Sequence, residues 1–129
     1  DVTVTTLFGP GVDPHLYKPT SADVRALRGA ELIVTNGLFL EGKLGETLTN
    51  LQRGGRTVLQ VAAALPEDQL LHPAGEAHPD PHVWFDVALW GRLPPVVAAA
   101  LAAQRPTRAA AFYENARVAQ VELARLDQW

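Results

Sequence analysis

Apolar and polar positions change period several times along these 129 residues, and each change marks a predicted element. In "DVTVTTLF" the apolar Val2 and Val4 alternate with threonines, the period-two pattern of a half-buried strand, and "GPGVDP" ends it with Gly and Pro turn chemistry. Thr20 stands three residues before Asp23, a capping signal for a short helix over "SADVRALRG" that Gly29 ends. "AELIVTN" is a compact, β-branched apolar run and predicts a buried strand ending at Asn36-Gly37. In "LEGKLGETLTNLQRGG", Leu40, Leu44, Leu48 and Leu51 recur at helical intervals, and Gly54-Gly55 closes the helix. "RTVLQVA" predicts the next strand.

From Ala62 to His82 the periodicity stops. The segment is rich in Pro, Gly, His and acidic residues and is long for a connection, and loops of that length often carry function. "FDVALWGRLPPVVAAALAAQ" is helical in pattern, with Pro94 and Pro95 expected to kink or split it, because proline removes a backbone donor and clashes with the preceding turn. "RPTRAAAFYENARVAQVELARLDQW" predicts a last helix capped by Thr107, with Phe112, Ala116, Ala119, Leu123 and Leu126 as its apolar stripe. The order strand, helix, strand, helix, strand, loop, helix, helix predicts an α/β fold, a parallel sheet flanked by helices. Ligands of such sheets bind beyond the carboxyl ends of the strands.

The length suits one domain with a real core, and 47% hydrophobic and 19% charged residues place it among ordinary globular proteins. A formal net charge of −3 gives no electrostatic footprint for nucleic acid or an anionic membrane. No uninterrupted apolar run reaches the roughly 18–20 residues of a bilayer span. There is no cysteine, so a metal site here would have to use His and carboxylates, and the compartment stays open. There is no methionine either, and a leader or anchor, if one existed, is not readable in this sequence.

Against that plain background one tripeptide occurs twice: Asp13-Pro14-His15 and Asp80-Pro81-His82, each followed by an apolar and then an aromatic residue. Proline fixes its own φ and biases the residue before it toward extended geometry, so the backbone entering each histidine is partly pre-set. A single Asp-Pro-His reads first as a turn with a solvated histidine. In the expected topology, however, His15 follows the first strand and His82 the third, which puts both on one edge of the sheet. Neutral imidazole is the commonest protein ligand for first-row metals, so His15 and His82 are the candidate metal donors. His72 and His78 read as solvent-facing residues of the long loop, Glu41, Glu46 and Glu67 as surface charges, and Trp84, Phe85 and Trp90 as core or cleft-lining aromatics. "GPG" is a turn rather than a phosphate loop, and no serine or cysteine nucleophile has a recognisable partner.

Three ordered segments, "GPGVDPHLYKPTSADVRAL", "AELIVTNGLFLEGKL" and "DPHVWFDVALW", resemble the amino-terminal lobe of the metal-binding solute-binding proteins of bacterial zinc/manganese ABC importers. This is the cluster A-I, TroA-like or adhesin-type lipoprotein family, and the resemblance covers essentially the whole chain. It implies a two-lobed protein, each lobe a small α/β sandwich, joined by one long helix, with a single metal held between the lobes by four side chains. By motif position it implies His15 and His82 as the first two ligands, the others, a His or Glu and then an Asp, belonging to a carboxyl-terminal lobe absent here. It further implies that residues 1–106 are the amino-terminal metal-binding lobe, lacking the family's first strand and helix, and that residues 107–129 begin the connecting helix.

The function so implied is extracytoplasmic capture of Mn²⁺ or Zn²⁺ and delivery to the permease of an ABC importer. The protein would be periplasmic or otherwise extracytoplasmic, lipid-anchored at full length, and without an organic cofactor. Zinc importers of the family often carry a long His-rich loop; this chain has only His72 and His78 there, which leans toward manganese. A metal-dependent hydrolase on the same histidines is the enzyme alternative, and it would need a third ligand, an open position and a general base that no HExxH helix supplies. An adhesion or interaction module, with incidental histidines, is the third reading. Strand edges left bare by a missing first strand predict dimerisation or an element swap.

Overall fold

The computed structural model describes residues 2–129; Asp1, the first residue of the expected amino-terminal strand, lies outside the described residues. Two parallel strands form the sheet: β1, Ile33–Thr35, and β2, Val58–Gln60, paired in the register Ile33 to Val58 and Thr35 to Gln60. Helix α2, Gly45–Arg53, is the crossover between them, as a parallel pair requires. Helix α1, Ser21–Gly29, precedes β1, and α3 (Val87–Trp90), α4 (Leu93–Gln104) and α5 (Ala109–Asp127) follow the long loop. This is the expected α/β architecture, with a smaller sheet than the pattern suggested.

The difference lies at the amino terminus. Val2 to Phe8 pair with no strand, and Val2 and Val4 remain 54% and 79% exposed. Alternation makes a strand only where a ladder partner and a buried face exist, and here neither does. Only the end of the segment is used: Leu7 and Phe8 pack against Leu27, Ile33, Leu44, Leu48 and Leu51, the core between α1, α2 and β1. A second core joins Val61, just after β2, and Ala62, Leu65 and Leu70 of the long loop to Val83, Leu89 and Leu93. The loop is therefore no free tether: short 3₁₀ turns at Val61–Ala64 and Glu67–Gln69 alternate with buried apolar anchors.

Local chemistry explains most element ends. Thr20 and Asp23 form a capping box at α1: the Asp23 N–H donates to Thr20 Oγ1 at 3.2 Å, and the Thr20 N–H to Asp23 Oδ2 at 2.7 Å. Tyr17 adds its hydroxyl to the same carboxylate oxygen at 2.6 Å. Pro94 and Pro95 split the apolar segment rather than kink it. They sit in the first turn of α4, where backbone N–H groups have no intrahelical partner anyway, and the break falls at Gly91-Arg92. Val87–Gln104 as a whole is apolar over a membrane-spanning number of residues, but it is two helices, and the 12 residues of α4 extend about 18 Å against the ~30 Å hydrocarbon layer.

Thr107 is not the cap of α5. It lies inside a 3₁₀ turn, Pro106–Arg108, that runs into the helix, whose first residue follows Arg108 without a side-chain cap. The stripe of α5 packs from Phe112 through buried Ala116 to Leu123, while Leu126 is exposed. Glu41, read as a surface charge, is buried at 8% exposure, with both carboxylate oxygens accepting backbone N–H groups at the end of β1. Phe85, expected in core or cleft, is 82% exposed, whereas Trp90 packs on the second core.

Leu44, 1% exposed at the centre of the first core, is the position where a cavity costs most. Leu44→Ala lowers unfolding free energy by about 2–5 kcal/mol, read from the urea midpoint at unchanged slope. The Asp23 carboxyl is held below the usual carboxylate range by the Tyr17 hydroxyl first and by Thr20 second. Its folded-state pKa is thus below the unfolded one, so its contribution is complete above about pH 4 and disappears as pH falls through the lower folded value. Melting temperatures between pH 5 and pH 2 therefore show a shallower acid loss in Asp23→Asn than in the parent.

Candidate metal centre

Both Asp-Pro-His stretches fold alike. The His15 N–H donates to Asp13 Oδ1 at 2.9 Å, and the His82 N–H donates to Asp80 Oδ1 at the same 2.9 Å. Each aspartate thus closes a turn on the backbone of the histidine two residues later, with proline fixing φ between them. The first turn is anchored to α1 through Tyr17, whose ring also packs edge-on against Phe8 at 4.7 Å. The second lies beyond the carboxyl ends of β1 and β2, over the second core, to which Val83 belongs.

These two turns, 67 residues apart, bring the imidazoles together: His15 Nε2 and His82 Nε2 are 3.2 Å apart, with ring centroids at 5.2 Å. The rings are held differently. His82 Nδ1 lies 2.6 Å from Asp80 Oδ1. An ionised carboxylate only accepts, so the proton is on His82 Nδ1 and the Nε2 lone pair points at His15. The backbone N–H of His82 first, and its ring N–H second, keep the Asp80 carboxyl below its usual range against a small opposing effect of burial. Trp84 stands edge-on to the His82 ring at 5.2 Å and limits its rotation. His15 is exposed, and its ring has no corresponding hydrogen bond to Asp13 among the described residues.

The pair opens into a cleft of about 300 Å³, lined also by Leu38, Phe39, Glu76 and His78. Its wall includes a left-handed run: Gly37, Leu38 and Phe39 have φ of 83°, 51° and 65°. For Leu and Phe this conformation costs on the order of 1–3 kcal/mol each and persists only where the surroundings impose it. The run leaves Phe39 exposed at the cleft, stacked on His78 with centroids 3.7 Å apart. His78 is therefore exposed, as expected, but it belongs to the cleft wall. His72 is exposed elsewhere, 3.3 Å from Glu67. Among the described residues no group of three or more His, Cys, Asp or Glu gathers as a metal cage. The left-handed wall and the buried Glu41 were missed by pattern reading, and Asn36-Gly37 was the only local sign of a special turn.

A parallel α/β lobe with a cleft beyond its strand ends is the lobe architecture of the TroA-like, two-lobed binding proteins. The periplasmic zinc-binding protein TroA from Treponema pallidum superposes with a TM-score of 0.93 at 44% identity, over 99% of this chain and 46% of that one. The chain belongs to this family: residues 1–129 match the family described as zinc-uptake complex component A, periplasmic. Among curated relatives, the manganese-binding lipoprotein MntA of Bacillus subtilis is 40% identical over 99% of this chain and 42% of its own length. The zinc-binding protein TroA of Treponema pallidum is 43% identical over 100% of this chain and 41% of its own. The Fe(III)-bound structure of YtgA from Chlamydia trachomatis matches with a TM-score of 0.74 at 32% identity, over 92% of this chain and 41% of that one. The chain thus spans less than half the length of the relatives it matches.

Removing the Asp80 carboxylate frees the ring it orients. In Asp80→Ala, long-range ¹H–¹⁵N spectra of the neutral imidazoles show His82 changing from the Nδ1–H form to a mixture of tautomers, with His15, its Nε2 partner, changing in the opposite sense.

Proposed function

We propose that this chain supplies two donors, His15 Nε2 and His82 Nε2, to a divalent first-row metal ion captured outside the cytoplasm and passed to the permease of an ABC importer. One observation carries the reading. Two nitrogens about 2.05 Å from one zinc at a tetrahedral angle lie roughly 3.3 Å apart, and the two Nε2 atoms are 3.2 Å apart. An ion between them replaces the shared proton of the metal-free pair and uses the lone pair that Asp80 already directs. The relatives' names support metal as cargo: MntA is called manganese-binding, TroA zinc-binding, and YtgA was solved with Fe(III).

Two imidazoles do not complete a four-coordinate site. In this reading the remaining donors come from a second lobe, residues 1–106 are the amino-terminal lobe, and residues 107–129 begin the helix joining the two. Helix α5, 19 residues and about 28 Å long, has the dimensions for that role. The chemistry is capture and release, with no reaction assigned to the pair. The setting is periplasmic or extracytoplasmic, and the lipoprotein name of MntA supports a lipid anchor at full length. Either Zn²⁺ or Mn²⁺ suits a set that joins imidazoles to oxygen donors.

Calorimetry of the full-length protein with Zn²⁺ and Mn²⁺ tests this directly. His15→Ala and His82→Ala each weaken binding by more than about 100-fold, beyond the loss typical of a residue that only supports a ligand. Parental affinity for both ions in the double variant overturns the reading.

A further inference from the structure

We infer that Asn36, held in place by Glu41, is the positioning residue that sets where His82 Nε2 sits, and that it thereby tunes metal affinity without touching the ion. The inference rests on the proposed role of His15 and His82.

Asn36 is the first residue after β1, and its backbone is held on both sides. Its N–H donates to Glu41 Oε1 at 2.6 Å, and its carbonyl accepts the Ala62 N–H at 3.0 Å, just beyond the end of β2. Its side-chain amide uses both hydrogens: Nδ2 donates to the Gly37 carbonyl at 3.1 Å and to the Pro81 carbonyl at 2.9 Å. The second bond reaches across 45 residues to the peptide group that enters His82.

That peptide has little freedom left. The Pro81 oxygen also accepts the Val83 N–H at 2.9 Å, closing an inverse γ-turn on His82, whose φ and ψ are −82° and 49°. The nitrogen side is held by Asp80 Oδ1, which also holds the ring. Asp80 itself is tied by its N–H to the Leu71 carbonyl of the long loop at 2.8 Å. Among the hydrogen bonds of the described residues, the one from Asn36 alone links residues 80–83 to a strand end. The turn can hold its own shape without Asn36; its place relative to the sheet is set by that amide on one side of His82 and by Val83, packed in the second core, on the other.

Glu41 completes the device. Its second oxygen accepts the Gly37 N–H at 3.0 Å, so one buried carboxylate fixes both peptides leaving β1 and the left-handed run that follows, which the Leu40 N–H closes onto the Gly37 carbonyl at 3.0 Å. His15, exposed and, among the described residues, bonded at its ring only through the nitrogen facing His82, is the adjustable partner. The ion's position is thus dictated from the His82 side.

The test uses Co²⁺ as a visible probe, titrated into the full-length protein, with Asn36→Asp, Asn36→Ala and the His15→Ala/His82→Ala double variant. Asn36→Asp keeps the shape but presents an oxygen to the Pro81 carbonyl. Both Asn36 variants are expected to bind Co²⁺ roughly 10–100-fold more weakly and to shift its d–d band, while the metal-free proteins stay folded in thermal melts. Double-variant binding equal to the parent sinks the metal reading and this inference with it. Loss in the double variant, with parental affinity and band in both Asn36 variants, overturns the positioning role alone. Asn36 variants that fail to fold, or lose thermal stability with an unchanged band and affinity, make Asn36 a structural residue and also overturn it.

Discussion

An imidazole is useful to a metal ion only when one nitrogen is bare, and two imidazoles serve one ion only when the bare nitrogens meet at a little over 3 Å. Under the proposed function that spacing must be held between turns 67 residues apart, on a sheet of two short strands among the described residues. Most of the local structure around the cleft makes sense as a response to this demand. Proline pre-sets each turn, and aspartate closes each on the histidine's own N–H. The parallel pairing of β1 and β2 then supplies the platform, because it brings both strand ends to the same side, where Asn36 meets Ala62.

The two halves of the pair are built to different tolerances. His15 rides on a turn tied to α1 by Tyr17 and the capping box, and among the described residues its ring bonds only to its partner. His82 is fixed at its peptide, at its ring nitrogen and at its ring edge, by Asn36, Asp80 and Trp84. A rigid donor facing an adaptable one defines a direction for approach while leaving room for ions of different radius. Under the proposed function this fits a family whose members are named for zinc and manganese alike.

The repeated Asp-Pro-His was legible because proline and aspartate act locally: their turn geometry needs nothing from the rest of the fold. The α1 cap and the split at Pro94 and Pro95 were legible for the same reason. The topology that predicts the meeting of His15 and His82 is only partly present: among the described residues its first strand does not pair, since Val2 and Val4 find no ladder and no buried face. The outcome survived because Leu7 and Phe8 still anchor that segment to the first core. Glu41 and Asn36 were illegible for the opposite reason. A glutamate at a helix-like position is almost always solvated; the turn after β1 makes this carboxylate a buried acceptor of the Asn36 and Gly37 N–H groups, and only the tertiary meeting with Pro81 gives the Asn36 amide its role.

Charge sets the limits of what this lobe does alone. The two imidazoles that face the cleft are neutral when they ligate, so neither offsets the charge of a divalent ion. Asp80 contributes its negative charge through the His82 ring, which makes Nε2 the stronger donor, and under the proposed function it stays one ring away from the ion. Glu76, on the cleft wall, belongs to the long loop and makes no side-chain hydrogen bond to either histidine among the described residues. A cation held by such a pair keeps most of its charge uncompensated and most of its coordination sphere as water. Under the proposed function, tight capture draws on anionic oxygen donors from a second lobe, and without them the ion is left in a weak two-nitrogen site. In that reading the same division of donors that strengthens binding also permits release, without any change in the histidines themselves.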